Sequence, residues 1–419
     1  MHEKILIRGG RSLNGIIDIQ GAKNAALPIM ASSLLLKNNT LKLKNVPDLL
    51  DIRTMAELLE HLGVRVIFEN NYMEIIVPDV VKHEAPVELV RKMRASSLVL
   101  GPLAARCGAV TLPLPGGCVL GSRPLDFHLK GLARMGADID LKNGSVSASV
   151  ENLKGAKIEF DFPSVGATEN LMMAATLAEG TTVIENAAKE PEIINLADVL
   201  RNMGAEVTGD GTDVIKIVGR TSLNSAEGTI IPDRIEAATY IIAGLATGGS
   251  VTVRGIQLDL LGSINQKLSE CGVRFESTEE GITAIREVTP LKSVSIKTLP
   301  HPGFPTDAQP QFMALLTMAS GTSVINESVF DSRLLHVNEF KKMGAKIELQ
   351  DNIALVTGVP KITGATVQSS NLRAGAALII MGLAAEGETI VTDLHHVWRG
   401  YENMVNKLMS LGADLEYID

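Results

Sequence analysis

The stretch Arg134-Met-Gly-Ala-Asp-Ile139 ends a predicted helix, starts a predicted strand, and is one of six similar stretches in the chain. Each stretch contains five positions in the same order. They are an apolar residue, a glycine, then either alanine or valine, a polar residue and a second apolar residue. The glycines are 68 to 73 residues apart, at Gly63, Gly136, Gly204, Gly272, Gly344 and Gly412. Glycine tolerates the positive φ needed just after a helix, and the alternation that follows is typical of a strand. The recurrence indicates six homologous repeats.

Each repeat also contains a run that is apolar on nearly all sides, which predicts a buried helix. The runs are Asn24–Leu36, Ala95–Ala105, Asn170–Ala178, Ala237–Ala246, Gln311–Ala319 and Ala374–Ala385. Most end in a glycine and a β-branched strand. The predicted repeat is therefore buried helix, strand, loop, amphipathic helix and strand, in an α/β fold.

The repeat pattern alone allows one ring of six or two groups of three. Asn224–Pro232 is predicted to be a polar turn between the third and fourth repeats. The segment Ile5–Ile19 is predicted to be an extra strand or strand pair that completes the second group.

Composition limits the function classes. The 419 residues carry a formal net charge of −9, which argues against a nucleic-acid binder that acts through a basic field. Three cysteines exclude a disulfide scaffold and suit a reducing compartment. No run is long enough to span a bilayer, and the first residues do not resemble a signal peptide. We expect a soluble, cytoplasmic protein with no membrane partner and no obligate protein partner.

Cations occur where anions are expected. Lys23, Arg94 and Arg373 lie at the predicted starts of buried helices, where the helix dipole disfavours a positive charge by about 0.3–1 kcal/mol. A bound anion would explain them; the alternatives are side chains that reach solvent or pair with carboxylates. Arg333 and Arg399 each lie 12 residues after the glycine that starts a strand, and Arg123 lies 15 residues after its glycine. Their equivalence predicts one highly charged ligand, against the alternative of surface salt bridges.

The three cysteines differ in context. Cys271 takes the position that leucine or methionine holds in the other repeats, which predicts a packing role, and Cys107 ends a predicted buried helix. Cys118 lies in a glycine-rich loop five residues before Arg123. A nearby cation lowers a thiol pKa, so we predict that Cys118 is reactive. The chain has no Walker A, G-x-G-x-x-G or H-E-x-x-H pattern, and neither a metal nor a cofactor is expected.

An ordered set of motifs resembles the enolpyruvyl transferase family, in particular its UDP-N-acetylglucosamine-dependent members. The motifs are Gly21-Ala-Lys-Asn-Ala-Ala-Leu-Pro28, Met93-Arg-Ala-Ser96, Leu114-Pro-Gly-Gly-Cys118, Ser164-Val-Gly-Ala-Thr-Glu-Asn170, Phe304-Pro-Thr-Asp307 and Arg399-Gly-Tyr-Glu402. The resemblance implies two inside-out α/β barrel domains of three repeats each, with the active site in the cleft between them. The domains would be residues 22–231 and residues 1–21 plus 232–419.

The resemblance also implies a reaction. The enolpyruvyl group of phosphoenolpyruvate would move to the 3-hydroxyl of UDP-N-acetylglucosamine by addition and then loss of phosphate. Cys118 matches the family's acid, which also forms a covalent adduct, and Asp307 matches the proposed base. The cationic set would be Lys23, Arg123, Arg333, Arg373 and Arg399, of which Lys23 and Arg399 would also be catalytic. Further substrate contacts would be Asn24, Arg94, Pro124, Leu125, Asp126, Phe127, Phe162, Pro163, Ser164, Val165, Gly166 and Val329.

One residue departs from the family pattern: Asn371 stands where an aspartate is usual in Asp-Leu-Arg-Ala. Two other functions remain open. One is the sister reaction on shikimate 3-phosphate, against which the cysteine loop argues. The other is a non-catalytic sugar-nucleotide sensor, which would need neither Cys118 nor Asp307.

Overall fold

The computed structural model describes residues 3–114, 125–142 and 144–418. These residues form two compact units. The first domain comprises residues 21–114 and 125–231, and the second domain comprises residues 3–20 and 232–418. Within the described ranges, no helix combines the length and the hydropathy that a membrane span requires.

Helices and strands alternate along both domains. The helices are α1 (Lys23–Ser32), α2 (Leu50–His61), α3 (Val87–Lys92), α4 (Leu100–Cys107), α5 (Asp126–Arg134), α6 (Val165–Ala175), α7 (Pro191–Asn202), α8 (Arg234–Ala246), α9 (Ser263–Glu270), α10 (Gln309–Leu316), α11 (Val337–Lys342), α12 (Leu372–Ala384) and α13 (Met404–Ser410). Short 3-10 helices cover Ser33–Leu35, Arg94–Val99, Leu258–Leu261, Thr306–Ala308, Arg333–His336 and Leu394–Arg399.

The strands are short. They are β1 (Lys4–Arg8), β2 (Asn14–Asp18), β3 (Asn39–Lys44), β4 (Arg65–Glu69), β5 (Tyr72–Val77), β6 (Ala109–Pro113), β7 (Asp138–Lys142), β8 (Ser145–Ser149), β9 (Lys157–Glu159), β10 (Thr181–Glu185), β11 (Glu206–Thr208), β12 (Val214–Val218), β13 (Ala226–Thr229), β14 (Ser250–Arg254), β15 (Val273–Thr278), β16 (Gly281–Arg286), β17 (Ile296–Lys297), β18 (Thr322–Asn326), β19 (Lys346–Gln350), β20 (Ile353–Thr357), β21 (Thr366–Gln368), β22 (Glu388–Thr392) and β23 (Asp414–Ile418).

Each repeat builds one sheet, which confirms the six-repeat prediction. In the first domain the strand orders are β13-β3-β5-β4, β6-β8-β7 and β11-β12-β10-β9. In the second domain they are β15-β16-β14-β2, β17-β18-β20-β19 and β21-β22-β1-β23. Each sheet contains more than the two strands that the repeat pattern predicts. Most have an antiparallel hairpin after the amphipathic helix and a parallel strand at one edge.

Strands distant in sequence complete both domains. In the first domain, β13 pairs in parallel with β3, so Asn224–Pro232 contains a strand rather than only the predicted turn. In the second domain, β2 pairs in parallel with β14, and β1 lies between β22 and β23. The predicted N-terminal strand pair is thus confirmed, and its two strands enter sheets of different repeats.

The six glycines end their helices as predicted. Their φ angles lie between +91° and +99°. After Gly63, Gly136, Gly204, Gly344 and Gly412 the next residue donates its backbone N–H back to the helix, as in the bonds from Ala137 N to Leu132 O, 3.0 Å, and from Ala205 N to Leu200 O, 2.9 Å. This pattern satisfies carbonyls that a helix C-terminus otherwise leaves unpaired.

The predicted apolar runs form the core of each domain. Helices α1, α4 and α6 are buried in the first domain, and α8, α10 and α12 in the second. One run differs from the prediction. Ala95–Ala105 starts within the 3-10 helix Arg94–Val99 and becomes α-helical only at Leu100. Pro102 is consistent with this boundary, since proline has no N–H to donate to Leu98 O, as an α-helix that began one turn earlier would require.

Replacing Gly136 with alanine tests the helix terminator. A Cβ at this position would have no neighbour within 4 Å, so the cost comes from the backbone angle of +98° alone. We expect Gly136→Ala to reduce the free energy of unfolding by about 1–2 kcal/mol, measured as a lower urea midpoint.

Gly136→Asn is the control. In the described residues, all eight non-glycine residues with positive φ are Asn or Asp, so asparagine should cost less than alanine. Equal midpoints for wild type and Gly136→Ala would contradict the assignment.

Candidate functional site

The starts of the three buried helices meet at one end of the second domain. Asp307 lies in the 3-10 helix before α10, and its Oδ2 accepts a hydrogen bond of 3.0 Å from Arg373 Nη2 at the start of α12. Asp233 caps α8 by accepting from the backbone N–H of Ile235, 2.8 Å, and Glu236, 3.0 Å. Three positive helix ends are therefore gathered beside these charged side chains.

Arg333 is a second guanidinium on Asp307. Its Nη2 donates to Asp307 Oδ1, and its Nε donates to Thr306 Oγ1 at 3.0 Å. The guanidinium carbon lies 5.1 Å from the centre of the Phe330 ring. Arg333 is only 1% exposed, so the alternative of a surface salt bridge is wrong for this residue.

Arg373 is anchored in the domain core. Its Nη1 donates to the hydroxyl of Tyr401 at 3.3 Å, and that hydroxyl also bonds to Thr239 Oγ1 at 2.9 Å and accepts from Gln311 Nε2 at 3.1 Å. Burial alone would lower the pKa of Arg373, but Asp307, Tyr401 and Asp233 together outweigh it and raise that pKa above the ordinary value. Arg373 is therefore a fixed, permanent cation. Arg399 is half-buried two residues before Tyr401.

Asn371 keeps the function of a helix cap. Its Oδ1 accepts from the backbone N–H of Arg373, 3.1 Å, and of Ala374, 3.0 Å. An aspartate oxygen could make the same bonds. The departure from the family pattern thus preserves the cap of α12 and leaves out one negative charge near Arg373.

The loop that contains Val329 is held by Glu327. The Oε1 atom of Glu327 accepts from the backbone N–H of Val329, 3.0 Å, and Phe330, 3.1 Å. Glu327 Oε2 accepts from Thr306 Oγ1 at 3.0 Å. The predicted residues Asp307, Val329, Arg333 and Arg373 therefore belong to one connected group.

The first domain holds a separate set of predicted residues. Lys23 begins α1 and pairs with Asp51 Oδ2 at 3.1 Å, and both side chains are nearly buried. For Lys23 and Arg373, the structure shows the pairing with carboxylates that the sequence left as an alternative. Asn24, next to Lys23, is exposed.

Arg94 and the start of α6 lie around His128. The positive charge of Arg94 acts on His128, and a Cβ on Gly166 would lie 3.5 Å from the imidazole. The rings of Phe127 and Phe160 are 5.5 Å apart, and Ser164 caps α6 by accepting from Ala167 N at 3.4 Å.

The remaining predicted residues flank this region. Phe162 is 42% exposed and Asp126 is exposed, while Leu125 is buried. Pro163 and Val165 are half-buried. His128 and Phe160 lie beside the predicted residues of this region, although the sequence alone did not indicate either of them.

The cysteines that the structure describes are poor nucleophiles. Burial raises the pKa of the half-buried Cys107 thiol and raises that of Cys271 to about 12. Cys271 is fully buried in the core of the second domain, which confirms its predicted packing role. Cys118, Arg123 and Pro124 lie outside the described residues.

The described ranges contain no group of three or more His, Cys, Asp or Glu arranged for a metal ion. The sequence reasoning also missed Asp51, Thr306, Glu327 and Tyr401, which contact predicted residues or hold them in place. Thr306 and Tyr401 lie inside two of the family motifs, Phe304–Asp307 and Arg399–Glu402, and this position could have indicated them.

Two buried histidines should make the stability of the protein depend on pH. Burial lowers the pKa of His128 and of His336 to about 4. The unfolded chain binds these protons near pH 6.5, so stability should fall as the pH decreases from 6.5 towards 4. Each histidine contributes a slope of up to about 1.4 kcal/mol per pH unit.

Substitution of His336 by asparagine tests this slope. Asparagine can keep the bond from His336 Nδ1 to Arg333 O, 3.0 Å, but does not titrate. We expect urea midpoints measured between pH 7.5 and 5 to fall less steeply for His336→Asn than for wild type, with parallel curves above pH 7. Parallel curves over the whole range would contradict the assignment.

Comparison with known proteins extends over nearly the whole chain. The profile of the EPSP synthase (3-phosphoshikimate 1-carboxyvinyltransferase) family matches residues 7–408. UDP-N-acetylglucosamine 1-carboxyvinyltransferase 1 of Halalkalibacterium halodurans is 51% identical, with 99% of this chain and 94% of that protein covered. UDP-N-acetylglucosamine 1-carboxyvinyltransferase of Desulfosudis oleivorans is also 51% identical, with 99% of both chains covered.

Solved structures agree with these relatives. The enolpyruvyl transferase NikO from Streptomyces tendae has a TM-score of 0.90 and 26% identity over 99% of both chains. EPSP synthase from Acinetobacter baumannii has a TM-score of 0.76 and 18% identity, covers 99% of this chain and 100% of that chain, and shows the fold alone. The chain therefore belongs to the EPSP synthase (3-phosphoshikimate 1-carboxyvinyltransferase) family of enolpyruvyl transferases.

Proposed function

We propose that the chain transfers the enolpyruvyl group of phosphoenolpyruvate to the 3-hydroxyl of UDP-N-acetylglucosamine and releases phosphate. The observation that carries this function is the 51% identity, over nearly the full length, to proteins named for this reaction. The sister reaction on shikimate 3-phosphate is less well supported, because the likeness to EPSP synthase from Acinetobacter baumannii is only 18% in sequence.

The cations would bind the donor. Phosphoenolpyruvate carries a phosphate and a carboxylate, and guanidinium groups match both in geometry and charge. Arg333 and Arg373 are buried and held on Asp307, so their positions are fixed before the ligand arrives. With Lys23, Arg123 and Arg399 they make up the proposed anion-binding set.

The chemistry needs an acid and a base. In the addition step, the sugar oxygen bonds to C2 of phosphoenolpyruvate, and the methylene carbon of phosphoenolpyruvate takes a proton. In the elimination step, that carbon loses a proton and the C2–O bond to phosphate breaks. We assign the acid to Cys118 and the base to Asp307. An arriving anion would compete for Arg333 and Arg373, which frees the Asp307 carboxylate to accept the hydroxyl proton.

The first domain would bind the sugar nucleotide. The proposed contacts are Asn24, Arg94, Pro124, Leu125, Asp126, Phe127, Phe162, Pro163, Ser164, Val165 and Gly166. The exposed ring of Phe162 offers an apolar face, and Arg94 offers a charge for a diphosphate. Val329 of the second domain is the remaining proposed contact.

The proposed setting is the cytoplasm, where the product would serve as a peptidoglycan precursor for cell-wall growth, cell shape and division. The free thiols of Cys107 and Cys271 suit a reducing compartment. We propose no cofactor and no obligate protein partner for the reaction.

Phosphate release tests the function. We expect the protein to release phosphate from phosphoenolpyruvate when UDP-N-acetylglucosamine is added, and to release none with shikimate 3-phosphate. Release with shikimate 3-phosphate alone would instead assign the sister reaction. Thermal stabilisation by UDP-N-acetylglucosamine with no release in any mixture would favour a sensor.

The assignment of the acid has its own test. Cys118→Ser should reduce turnover by at least about 10²-fold, the lower end for a general acid. Cys107→Ser and Cys271→Ala are matched controls that should keep full turnover, because neither thiol ionises readily. Fosfomycin, an epoxide phosphonate, should label Cys118 alone; mass spectrometry that finds the label on Cys107 would contradict the assignment.

A further inference from the structure

Glu327 is a buried carboxylate to which the predicted chemistry gives no role. It is 1% exposed and lies just after β18. Its two oxygens accept four hydrogen bonds, from Thr298 Oγ1 at 2.8 Å, Thr306 Oγ1 at 3.0 Å, Val329 N at 3.0 Å and Phe330 N at 3.1 Å. A buried charge is tolerated only when it is satisfied in this way. Glu327 therefore ties together three segments that approach Asp307 and Arg333.

The hydroxyl of Thr306 connects Glu327 to Arg333 through two hydrogen bonds. A hydroxyl has one hydrogen to donate and two lone pairs with which to accept. Thr306 gives its hydrogen to Glu327 Oε2, which leaves a lone pair for Arg333 Nε at 3.0 Å. Because a carboxylate can only accept, Glu327 fixes the direction of this hydroxyl and so the acceptor that Arg333 meets.

Two side chains accept hydrogen bonds from the Arg333 guanidinium. Thr306 holds Nε, and Asp307 holds Nη2. When an anion draws the guanidinium away from Asp307, the bond to Thr306 is the contact that continues to set the direction of the fork.

We propose that Glu327 is a positioning residue that acts through Thr306 to aim Arg333 at the anionic donor substrate. This inference rests on the proposed function, since it takes Arg333 to bind phosphoenolpyruvate. It adds that the affinity for the donor depends on a carboxylate that does not itself touch the ligand.

The chain contains a matched control in Thr298. Like Thr306, Thr298 donates its hydroxyl hydrogen to Glu327 and accepts one N–H, but its donor is the backbone of Ser328 at 2.9 Å rather than Arg333. Thr298→Val and Thr306→Val therefore remove the same number of hydrogen bonds around the same carboxylate. Only Thr306→Val removes the contact to Arg333.

Glu327→Gln tests the carboxylate at nearly constant shape. The two backbone N–H groups require an acceptor at Oε1, so the amide nitrogen must take the place of Oε2 and point its hydrogens at Thr306. The Thr306 hydroxyl then loses the acceptor for its own hydrogen, and its direction is no longer set.

The experiment compares the four variants Thr306→Val, Thr306→Ser, Thr298→Val and Glu327→Gln with wild type. We measure kcat, the KM for each substrate, the Kd for phosphoenolpyruvate by calorimetry, and Tm. Thr306→Val and Glu327→Gln should raise KM and Kd for phosphoenolpyruvate about tenfold, the effect of a hydrogen bond to a charged group. Thr306→Ser should restore wild-type values. Thr298→Val should change KM and Kd less than twofold, although its Tm falls as much as that of Thr306→Val.

Other results would overturn the proposal. Equal changes in the Kd for phosphoenolpyruvate in Thr306→Val and Thr298→Val would show that Glu327 acts only on the fold. A wild-type Kd in Glu327→Gln, or a loss of kcat with an unchanged KM for phosphoenolpyruvate, would also contradict it. Wild type that binds phosphoenolpyruvate but releases no phosphate would contradict the proposed function and leave the Kd comparison valid. Wild type that does not bind phosphoenolpyruvate would contradict both.

Discussion

The Asp307 carboxylate between two buried guanidinium groups is the interaction on which the site of the second domain depends. Arg333 and Arg373 are 1% and 3% exposed, and such charges are stable in a core only when they are paired. The helices α8, α10 and α12 add the positive ends of their dipoles at the same place. Asp307 offsets part of this positive charge and keeps both arginines in fixed positions. The same arrangement that makes the core stable therefore fixes the two guanidinium groups of the proposed anion site.

Much of the fold could be predicted because it depends on local physical constraints. The six glycines were identifiable because a helix end needs a positive φ, and all six have it. The buried helices were identifiable because they have no polar face. The hairpin strands were missed, although Asn70-Asn71 is a turn dipeptide whose residues both have positive φ. The pairing of β13 with β3 was not predictable, because nothing local in Ala226–Thr229 specifies a partner 185 residues away.

The candidate site was predictable in part, for a different reason. Lys23, Arg333 and Arg373 stood out because a cation is unfavourable or unexplained at its position in the repeat. Their partners had no such signal: Asp51 is one acidic residue among 48, and Glu327 resembles any residue at a strand end. Asn371 illustrates the limit of motif comparison. It departs from the family motif, yet its side-chain Oδ1 makes the two cap bonds that the position requires.

The pairing of β1 with β23 has a consequence for synthesis on the ribosome. Lys4–Arg8 leaves the exit tunnel long before its neighbour Asp414–Ile418, because about 400 residues separate the two strands in the chain. At about 5–20 residues per second, these few amino acids wait roughly 20–80 seconds for the strand that covers them. The first domain is translated wholly within that interval, so its repeats can collapse while the other half still has an open edge. Charged residues at the end of the segment and just after it, Arg8 and Arg11, disfavour pairing of the exposed strand with other chains.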